Sequence, residues 1–560
     1  MSDLAILRRV LRLFTPYRGW MLLGALLSTL TVLASVGLMA IAGYFIAAMA
    51  IAGLAGVLMN YFLPAAGIRL FAILRTGGRY AERVVTHEAT FRLLARLRVW
   101  LFDRLVPLAP ARLAHERGAD LVARLSADVE TLQHAYLRLY APALTALACT
   151  AVVVALFALR SISAALALLA LLLIAGLAVP LAVRRASAAP GAAIVQTSAQ
   201  LRVAIVDSLQ GMSDLAVYGA TERRILAAQR LGDELAAKQR QADTLGLVAE
   251  GTLTLCAGLA LWSTALLAIV AAQQGALGRV EIPMLALAAL AAFEAVAPLP
   301  LAMQRAGEVV AAARRIFALA DLPPVIPEGP AASPVPRDAS VVMRNVRLRY
   351  EGASEDALAG LDLTVASGQR VAIVGSSGAG KSSISRLLLR FWDYDGEIRL
   401  GRHDLRAYRP EDVRALLGVL TQYTHLLNAT LRENLLLAAP GATEDALLDA
   451  LDVTQLRAFV AAQPQGLDTP VGEGGVRLSV GQARRLAIAR VVLRDAPIVV
   501  LDEPAEGLDA HTAHALLAAL MSRLAGRTVL VITHDLAQVR DLVDAVVTME
   551  RGRATRYLPP

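Results

Sequence analysis

From Gly19 to Ile68 the chain carries no charged residue, a run of 50 positions that suffices for two membrane spans of about 20 residues joined by a short turn near Gly53 to Asn60. Further uncharged runs cover Leu139 to Leu159, Ser161 to Val183 and Gly251 to Gly278, and Ile282 to Gln304 is interrupted by Glu294 alone. Six spans are predicted. The connections from Arg69 to Arg138 and from Arg184 to Glu250 differ in kind. In stretches such as Glu88 to Arg98, apolar and basic residues recur at three- and four-residue spacing, which predicts helices that carry the membrane spans onward into water.

After residue 305 the pattern changes. A Pro-rich stretch, Leu322 to Pro336, reads as a linker. Beyond it, short β-branched runs alternate with helical patterns. Ser340 to Met343, Arg347 to Tyr350, Arg370 to Val374, Ile498 to Leu501 and Thr528 to Thr533 are the predicted strands of a parallel sheet covered by helices. The chain thus divides into an α-helical membrane domain at 1–320, a linker at 321–337 and an α/β nucleotide-binding domain at 338–560.

Composition agrees with that division, since hydrophobic residues make up 56% of the chain while its long apolar runs lie in the first part. The net charge of +8 would suit nucleic acid, but the arginines of the first part sit between the apolar runs, where they set membrane orientation. Arg8, Arg9, Arg12 and Arg18 in the head, and the two long Arg-rich connections, place both termini in the cytoplasm; no nucleic-acid partner is implied. Two of the 55 basic residues are lysines, Lys238 and Lys381. Cys149 and Cys256 lie within apolar runs without metal-ligand spacing and read as packed membrane cysteines. The first apolar run is too long for a cleavable signal and continues into a second.

Chemistry is concentrated in the second domain. After the strand ending at Val374 come Gly375, Ser376, Ser377, Gly378, Ala379, Gly380, Lys381 and Ser382, the full G-x-x-x-x-G-K-[ST] pattern between a strand and a helix. Its backbone N–H groups, with those of the helix that follows at Ser383, suit phosphate oxygens. Lys381 suits the β- and γ-phosphates of ATP, and the Ser382 hydroxyl suits Mg²⁺. Asp502 and Glu503 end the apolar run from Ile498, where uncompensated charge is costly unless metal or water chemistry uses it. Asp502 fits an Mg²⁺-associated carboxylate and Glu503 a group that polarises attacking water; a solvated strand end is the alternative.

Leu478, Ser479, Val480, Gly481 and Gln482 lie between these motifs, and here the chain resembles the ABC transporter family, with Val480 where Gly is usual. Gln422 resembles the family's Q-loop glutamine, which also reaches Mg²⁺, Gly507 to Asp509 its D-loop, and His534 its switch histidine. Tyr350 stands where the family stacks an aromatic ring on adenine. The resemblance covers almost the whole chain. It implies that ATP is held between the phosphate loop of one nucleotide domain and the signature residues Ser479, Gly481 and Gln482 of another, with Asp509 near the same junction. One copy of each motif cannot close such a site, so a second half is required. It also implies hydrolysis by Lys381, Gln422, Glu503 and His534.

Within the family the membrane half is most similar to the CydC branch, one side of the heterodimeric CydDC exporters that serve cytochrome bd assembly. Ala42 to Phe45, Asn60 to Arg69, Arg75 to Arg83, Thr86 to Arg92 and Ala291 to Ala295 carry this likeness. It implies a CydD-like partner in a bacterial inner membrane, and as cargo either haem or the reduced thiols glutathione and cysteine. His87 matches a haem-ligating position of that pattern; the alternative is a hydrogen-bonding helix histidine. Arg79 and Arg83 suit propionate groups. Glu294, an acid within a predicted span, is a candidate cargo-path or gating residue, or else a structural hydrogen-bonding group between helices. Coupling to the nucleotide domain is expected around Pro110 to Asp120 and Asp207 to Tyr218. A homodimeric lipid or drug exporter and an ATP-binding regulatory membrane protein are the competing readings. A soluble protein is excluded by the spans.

Overall fold

The structure is a computed structural model in which residues 2–113, 124–326, 329–423 and 425–558 are described. The chain separates into two compact units: Met1–Pro107 with Glu116–Leu322, and Leu108–His115 with Pro323–Pro560. Part of the segment expected to couple them, residues 114–120, lies outside the described residues. Arg112, in the piece that groups with the second unit, pairs its guanidinium with Glu351 there.

The first unit is helical. An amphipathic α1 (Asp3–Phe14) precedes α2 (Arg18–Ala55), α3 (Phe62–Leu105), α4 (Ala141–Ala158), α5 (Ile162–Leu173), α6 (Val179–Gln210), α7 (Thr221–Gln273), α8 (Glu281–Ala292) and α9 (Leu299–Ala320). Among the described residues, five helical stretches are long and apolar enough to cross a membrane: Asp3–Ala55, Ser126–Ala158, Ile162–Gln210, Thr221–Gln273 and Glu281–Ala320. The expected sixth, α3, does not meet that test. The turn before it takes up Gly56–Tyr61, so Phe62 to Ile68 is all that remains of the uncharged run before Arg69, Arg75 and Arg79 enter the helix. α3 has 44 residues and α7 has 53, lengths of roughly 65 and 80 Å at about 1.5 Å per residue, well beyond a 30 Å hydrocarbon layer. Both helices therefore run far into the two connections.

Small residues let these helices approach. The buried positions of α2 are Gly24, Ala25, Thr31, Val32, Ala34, Ser35, Val36 and Gly43, and a Cβ on Gly43 would lie 2.5 Å from the Pro283 carbonyl oxygen of α8. Polar ties fix the register, with Tyr136 Oη donating to the Met21 carbonyl at 2.9 Å and Arg315 forking onto Asp128 at 2.9 and 2.6 Å. The predicted single span from Ile282 to Gln304 is broken. α8 ends at Ala292, Phe293–Ala295 form a 3₁₀ turn, and α9 resumes at Leu299 because Pro298 and Pro300 remove backbone donors and are accommodated only around a helix start. Glu294 stands in that break.

The second unit contains two sheets. A six-stranded sheet runs in the order β10 (Arg553–Leu558), β9 (Ala545–Glu550), β3 (Arg370–Gly375), β8 (Thr528–Thr533), β7 (Ile498–Asp502), β6 (Leu417–Leu420). It is parallel from β9 to β6, with β10 antiparallel at one edge. Every residue of β7 and β8 is buried, as expected for strands covered on both faces. A second, antiparallel sheet in the order β2 (Leu358–Val365), β1 (Val341–Leu348), β4 (Asp395–Leu400), β5 (His403–Asp404) was not predicted. The two short strands expected at 340–343 and 347–350 are one strand, β1, whose register shifts between Met343 and Val346 at Asn345 (φ 45°). The bulge resets the alternation of apolar positions, which is why the sequence pattern looks interrupted there.

Candidate functional site

Four strand ends supply the site. The phosphate loop follows β3, Asp502 ends β7 and Glu503 follows it, Gln422 comes two residues after β6, and His534 follows β8. All lie at the carboxyl edge of the parallel strands, where the chain turns out of a buried sheet and polar groups become reachable. Tyr350, Ser377, Gly378, Gly380, Lys381, Ser382, Ser383, Gln422, Glu503 and His534 line one cavity of about 400 Å³.

The loop itself is shaped by its glycines. Gly380 has φ 94°, and a Cβ there would lie 2.2 Å from the Ala357 carbonyl oxygen, so no other residue fits at the start of α10 (Lys381–Leu388). Lys381 Nζ donates to the Gly375 and Ser376 carbonyls at 2.7 and 2.9 Å, which holds the ammonium over the loop. Ala379 is buried beneath it. The Tyr350 hydroxyl lies 2.9 Å from Ser383 Oγ and accepts from Arg386, and its ring packs edge-on against Trp392 with centroids 5.5 Å apart.

Across the cavity, Asp502 is buried and takes a hydrogen bond from Ser382, while its Oδ1 is buried without a hydrogen-bond partner. Burial raises its pKa above the ordinary aspartate range, with Ser382 opposing. An orphaned carboxylate oxygen beside the Ser382 hydroxyl is the donor set a hard divalent cation takes, so these residues fit Mg²⁺. Glu503 has a left-handed backbone, φ 51°, a strained conformation for a non-glycine residue. Its N–H donates to the Ile532 carbonyl at 2.8 Å, and its Oε2 is 3.3 Å from Thr533 Oγ1 and 2.9 Å from His534 Nδ1. The hydrogen bond to Glu503, and then its charge, raise the His534 pKa. The two groups thus hold each other in place at the cavity wall.

A family profile described as ABC transporter matches residues 358–506. Over 541 residues, 95% of this chain and 93% of the relative, the sequence is 38% identical to the glutathione/L-cysteine transport system ATP-binding/permease protein CydC of Escherichia coli (strain K12). The chain belongs to the ABC transporter family. It is also 28% identical over 498 residues to the glutathione/L-cysteine transport system ATP-binding/permease protein CydD of Bacillus subtilis (strain 168), covering 88% of this chain and 85% of that one. Its fold is similar to a bacterial Atm1-family ABC exporter solved with ATP bound, at a TM-score of 0.85 and 24% identity over 96% of this chain and 94% of the other. This ABC transporter is a multi-pass membrane protein that joins its membrane region and an ATP-binding, ATP-hydrolysing domain in one chain.

The signature residues of the transporter do not line the 400 Å³ cavity. Ser479 instead caps α11 (Val480–Arg494): its Oγ accepts from the Gln482 N–H at 3.2 Å, and Gln482 Oε1 accepts from the Ser479 N–H at 2.8 Å, a reciprocal capping box. A Cβ on Gly481 would fall 2.9 Å from a Leu508 methyl group. Val480, the departure from the family pattern, is exposed. Asp509 likewise lies outside the cavity and caps α12 (Ala510–Arg523) by accepting from the Thr512 N–H at 2.9 Å, which lowers its pKa. Glu506, Arg386 and Ala357, which the sequence reading did not single out, do line the cavity. A third acid close after Asp502 and Glu503 was the available signal for Glu506. Arg484 was also missed, and no motif marks it: buried in α11, its guanidinium donates to the carbonyls of Thr421 at 2.7 Å, Gln422 at 3.0 Å and Glu503 at 2.6 Å, and to that of Asp502.

In the helical unit, Arg79 Nη2 donates to Glu294 Oε1 at 2.6 Å, bringing together two residues 215 positions apart. Arg79 and Arg83 share a cavity of about 360 Å³ with Arg75, Thr76 and Tyr80, and Glu294 lines another of about 510 Å³. His87 lines neither. It is exposed one turn beyond Arg83, with Nδ1 2.9 Å from the Arg83 carbonyl, which selects the tautomer that leaves Nε2 free.

Proposed function

We propose that this transporter is the CydC-type half of a heterodimeric exporter that moves the reduced thiols glutathione and cysteine across a bacterial inner membrane, with a CydD-type chain as partner and both termini and the ATPase domain in the cytoplasm. The observation that carries the proposal is the full-length likeness, membrane region included, to a protein named for glutathione and L-cysteine transport. The partner requirement is supported by the separation of Ser479, Gly481 and Gln482 from the cavity that Lys381 and Glu503 line. The signature loop then faces ATP held by the partner, and the partner's loop completes this cavity.

At that site Lys381 and the loop N–H groups hold the phosphates, and Tyr350 packs on the adenine. Asp502, Ser382 and Gln422 would hold Mg²⁺, which when bound would supply neutralisation of the charge on the transferring phosphate. Glu503 orients the attacking water, and His534 fixes the Glu503 carboxylate through Oε2. Arg79, Arg83 and Glu294 belong to the cargo path, and α3 crosses the membrane as the sixth span.

A haem cargo is the second reading, favoured by the free Nε2 of His87 on an exposed helix face close to Arg83. Co-expression with the partner gene, purification and ATP-driven uptake of labelled glutathione and cysteine into everted vesicles test the proposal. The expected result is transport by the pair and none by either chain alone. A fully active homodimer would overturn it. A haem absorption band lost in His87→Ala would favour the second reading.

A further inference from the structure

The two cavities of the helical unit carry opposite charge. Arg75, Arg79 and Arg83 line the first, on one face of α3, and among the described residues no carboxylate lines it. Glu250 and Glu294 line the second, between α6, α7 and the broken α8–α9 segment, and among the described residues no basic residue lines it. The Arg79–Glu294 ion pair, 2.6 Å long, has one member in each lining and so forms their common boundary. Volumes of about 360 and 510 Å³ are those of small-molecule sites.

Charges at membrane depth are retained only when paired or when a ligand uses them. Among the described residues, no ion pair joins Arg75 or Arg83 to a carboxylate or Glu250 to a basic side chain, although the charge of Glu82, on the same helix, acts on both Arg79 and Arg83. Opening the Arg79–Glu294 pair, whose members are half and one-third exposed, leaves each without its ion-pair partner unless the incoming group replaces both. A simple anion would satisfy Arg79 and strand Glu294; a simple amine would satisfy Glu294 and leave Arg79 with the charge of Glu82 in place of its ion-pair partner. A ligand carrying a carboxylate and an ammonium on one carbon replaces both at once.

The geometry points to a split zwitterion site, in which an α-amino acid group separates Arg79 from Glu294, its carboxylate passing to the arginine cavity and its ammonium to Glu294 and Glu250. This deepens the thiol-export proposal and rests on it, since cysteine and glutathione both carry an α-amino acid group. The thiol itself is left unrecognised by charge. The ion pair then acts as a specificity filter, because only a ligand of both signs recovers what is lost when the pair opens.

The test uses the assembled heterodimer in everted vesicles, with ATP-driven uptake of labelled cysteine and inhibition constants for two half-ligands, 3-mercaptopropionate, which lacks the amine, and cysteamine, which lacks the carboxylate. On the unaltered transporter each half-ligand is expected to bind at least about tenfold more weakly than cysteine. Glu294→Gln should bring cysteine down to the level of 3-mercaptopropionate while leaving the latter unchanged or improved, since Arg79 has lost its competitor. Arg79→Gln should bring cysteine down to the level of cysteamine. Half-ligands as strong as cysteine on the unaltered protein, or variants that weaken all three ligands alike, would overturn the zwitterion site while thiol export stands. Absence of any cysteine or glutathione uptake by a pair that hydrolyses ATP would overturn the export proposal, and this inference with it. The half-ligand comparison on the unaltered transporter decides the matter even where a variant does not assemble.

Discussion

Arg484 shows how much of an ATP site can depend on a residue that touches no nucleotide. Its guanidinium joins the carbonyls of Thr421 and Gln422, at the start of the Q-loop, to those of Asp502 and Glu503. Burial lowers its pKa, opposed by Glu506, Asp502 and Glu503. Arg484→Gln is expected to lower kcat for ATP hydrolysis by about tenfold or more, with little change in KM for ATP because Tyr350, Lys381 and the phosphate loop are untouched; steady-state kinetics of the heterodimer check this. The Glu503–His534 pair makes a prediction about pH. Its hydrogen bond and charge raise the imidazole pKa, so the folded protein keeps the His534 proton at a pH where an unfolded chain has released it. The pair's contribution is complete below the ordinary histidine pKa and is lost as pH rises through the raised value. Glu503→Gln should therefore shift the His534 titration downward, read from ¹⁵N-histidine spectra with His534→Gln as the assignment control.

The signature segment, taken as an element, is a helix start before it is a ligand contact. Ser479 and Gln482 satisfy one another's backbone donors at the head of α11. Ser479→Ala is expected to cost about 1 kcal/mol of domain stability, measured as a lowered denaturation midpoint, in addition to any effect on ATP turnover. Val480→Gly should leave hydrolysis nearly unchanged, because the Val480 side chain is exposed and belongs to neither half of the capping box. The strand–loop–helix of the phosphate loop and the long helices were legible in the sequence because each is encoded locally, by spacing or by apolar periodicity. The antiparallel sheet was not. Its register is interrupted at Asn345, and its pairings join segments such as β1 and β4 that are about 50 residues apart. The break at Glu294 was hidden for a different reason: an apolar run reports burial, while Pro298 and Pro300 decide continuity.

For the whole molecule, the arrangement predicts which site each substitution disables. Lys381→Ala is expected to remove phosphate binding at the chain's own cavity, whereas Gly481→Asp, which places a side chain against Leu508 in the signature segment, is expected under the proposed pairing to disable the partner's. In the heterodimer the two should therefore give different residual ATPase activities, and their combination should lose both sites; vanadate trapping of labelled nucleotide on each chain distinguishes them. Unassisted, the sequence determined that the protein has a membrane half and an ATPase half, and it marked the loop suited to phosphates and the single-copy motifs from which a second half is proposed. Those features follow from runs of apolar residues, from a Gly-rich loop set between a strand and a helix, and from one copy of motifs that the family uses in pairs. The tertiary structure alone decided that Arg484 ties the Gln422 loop to the strand end of Asp502 and Glu503 and that Arg79 meets Glu294 across 215 residues. Neither contact leaves a local pattern, because each depends on where distant helices and strand ends come to rest rather than on the residues beside them.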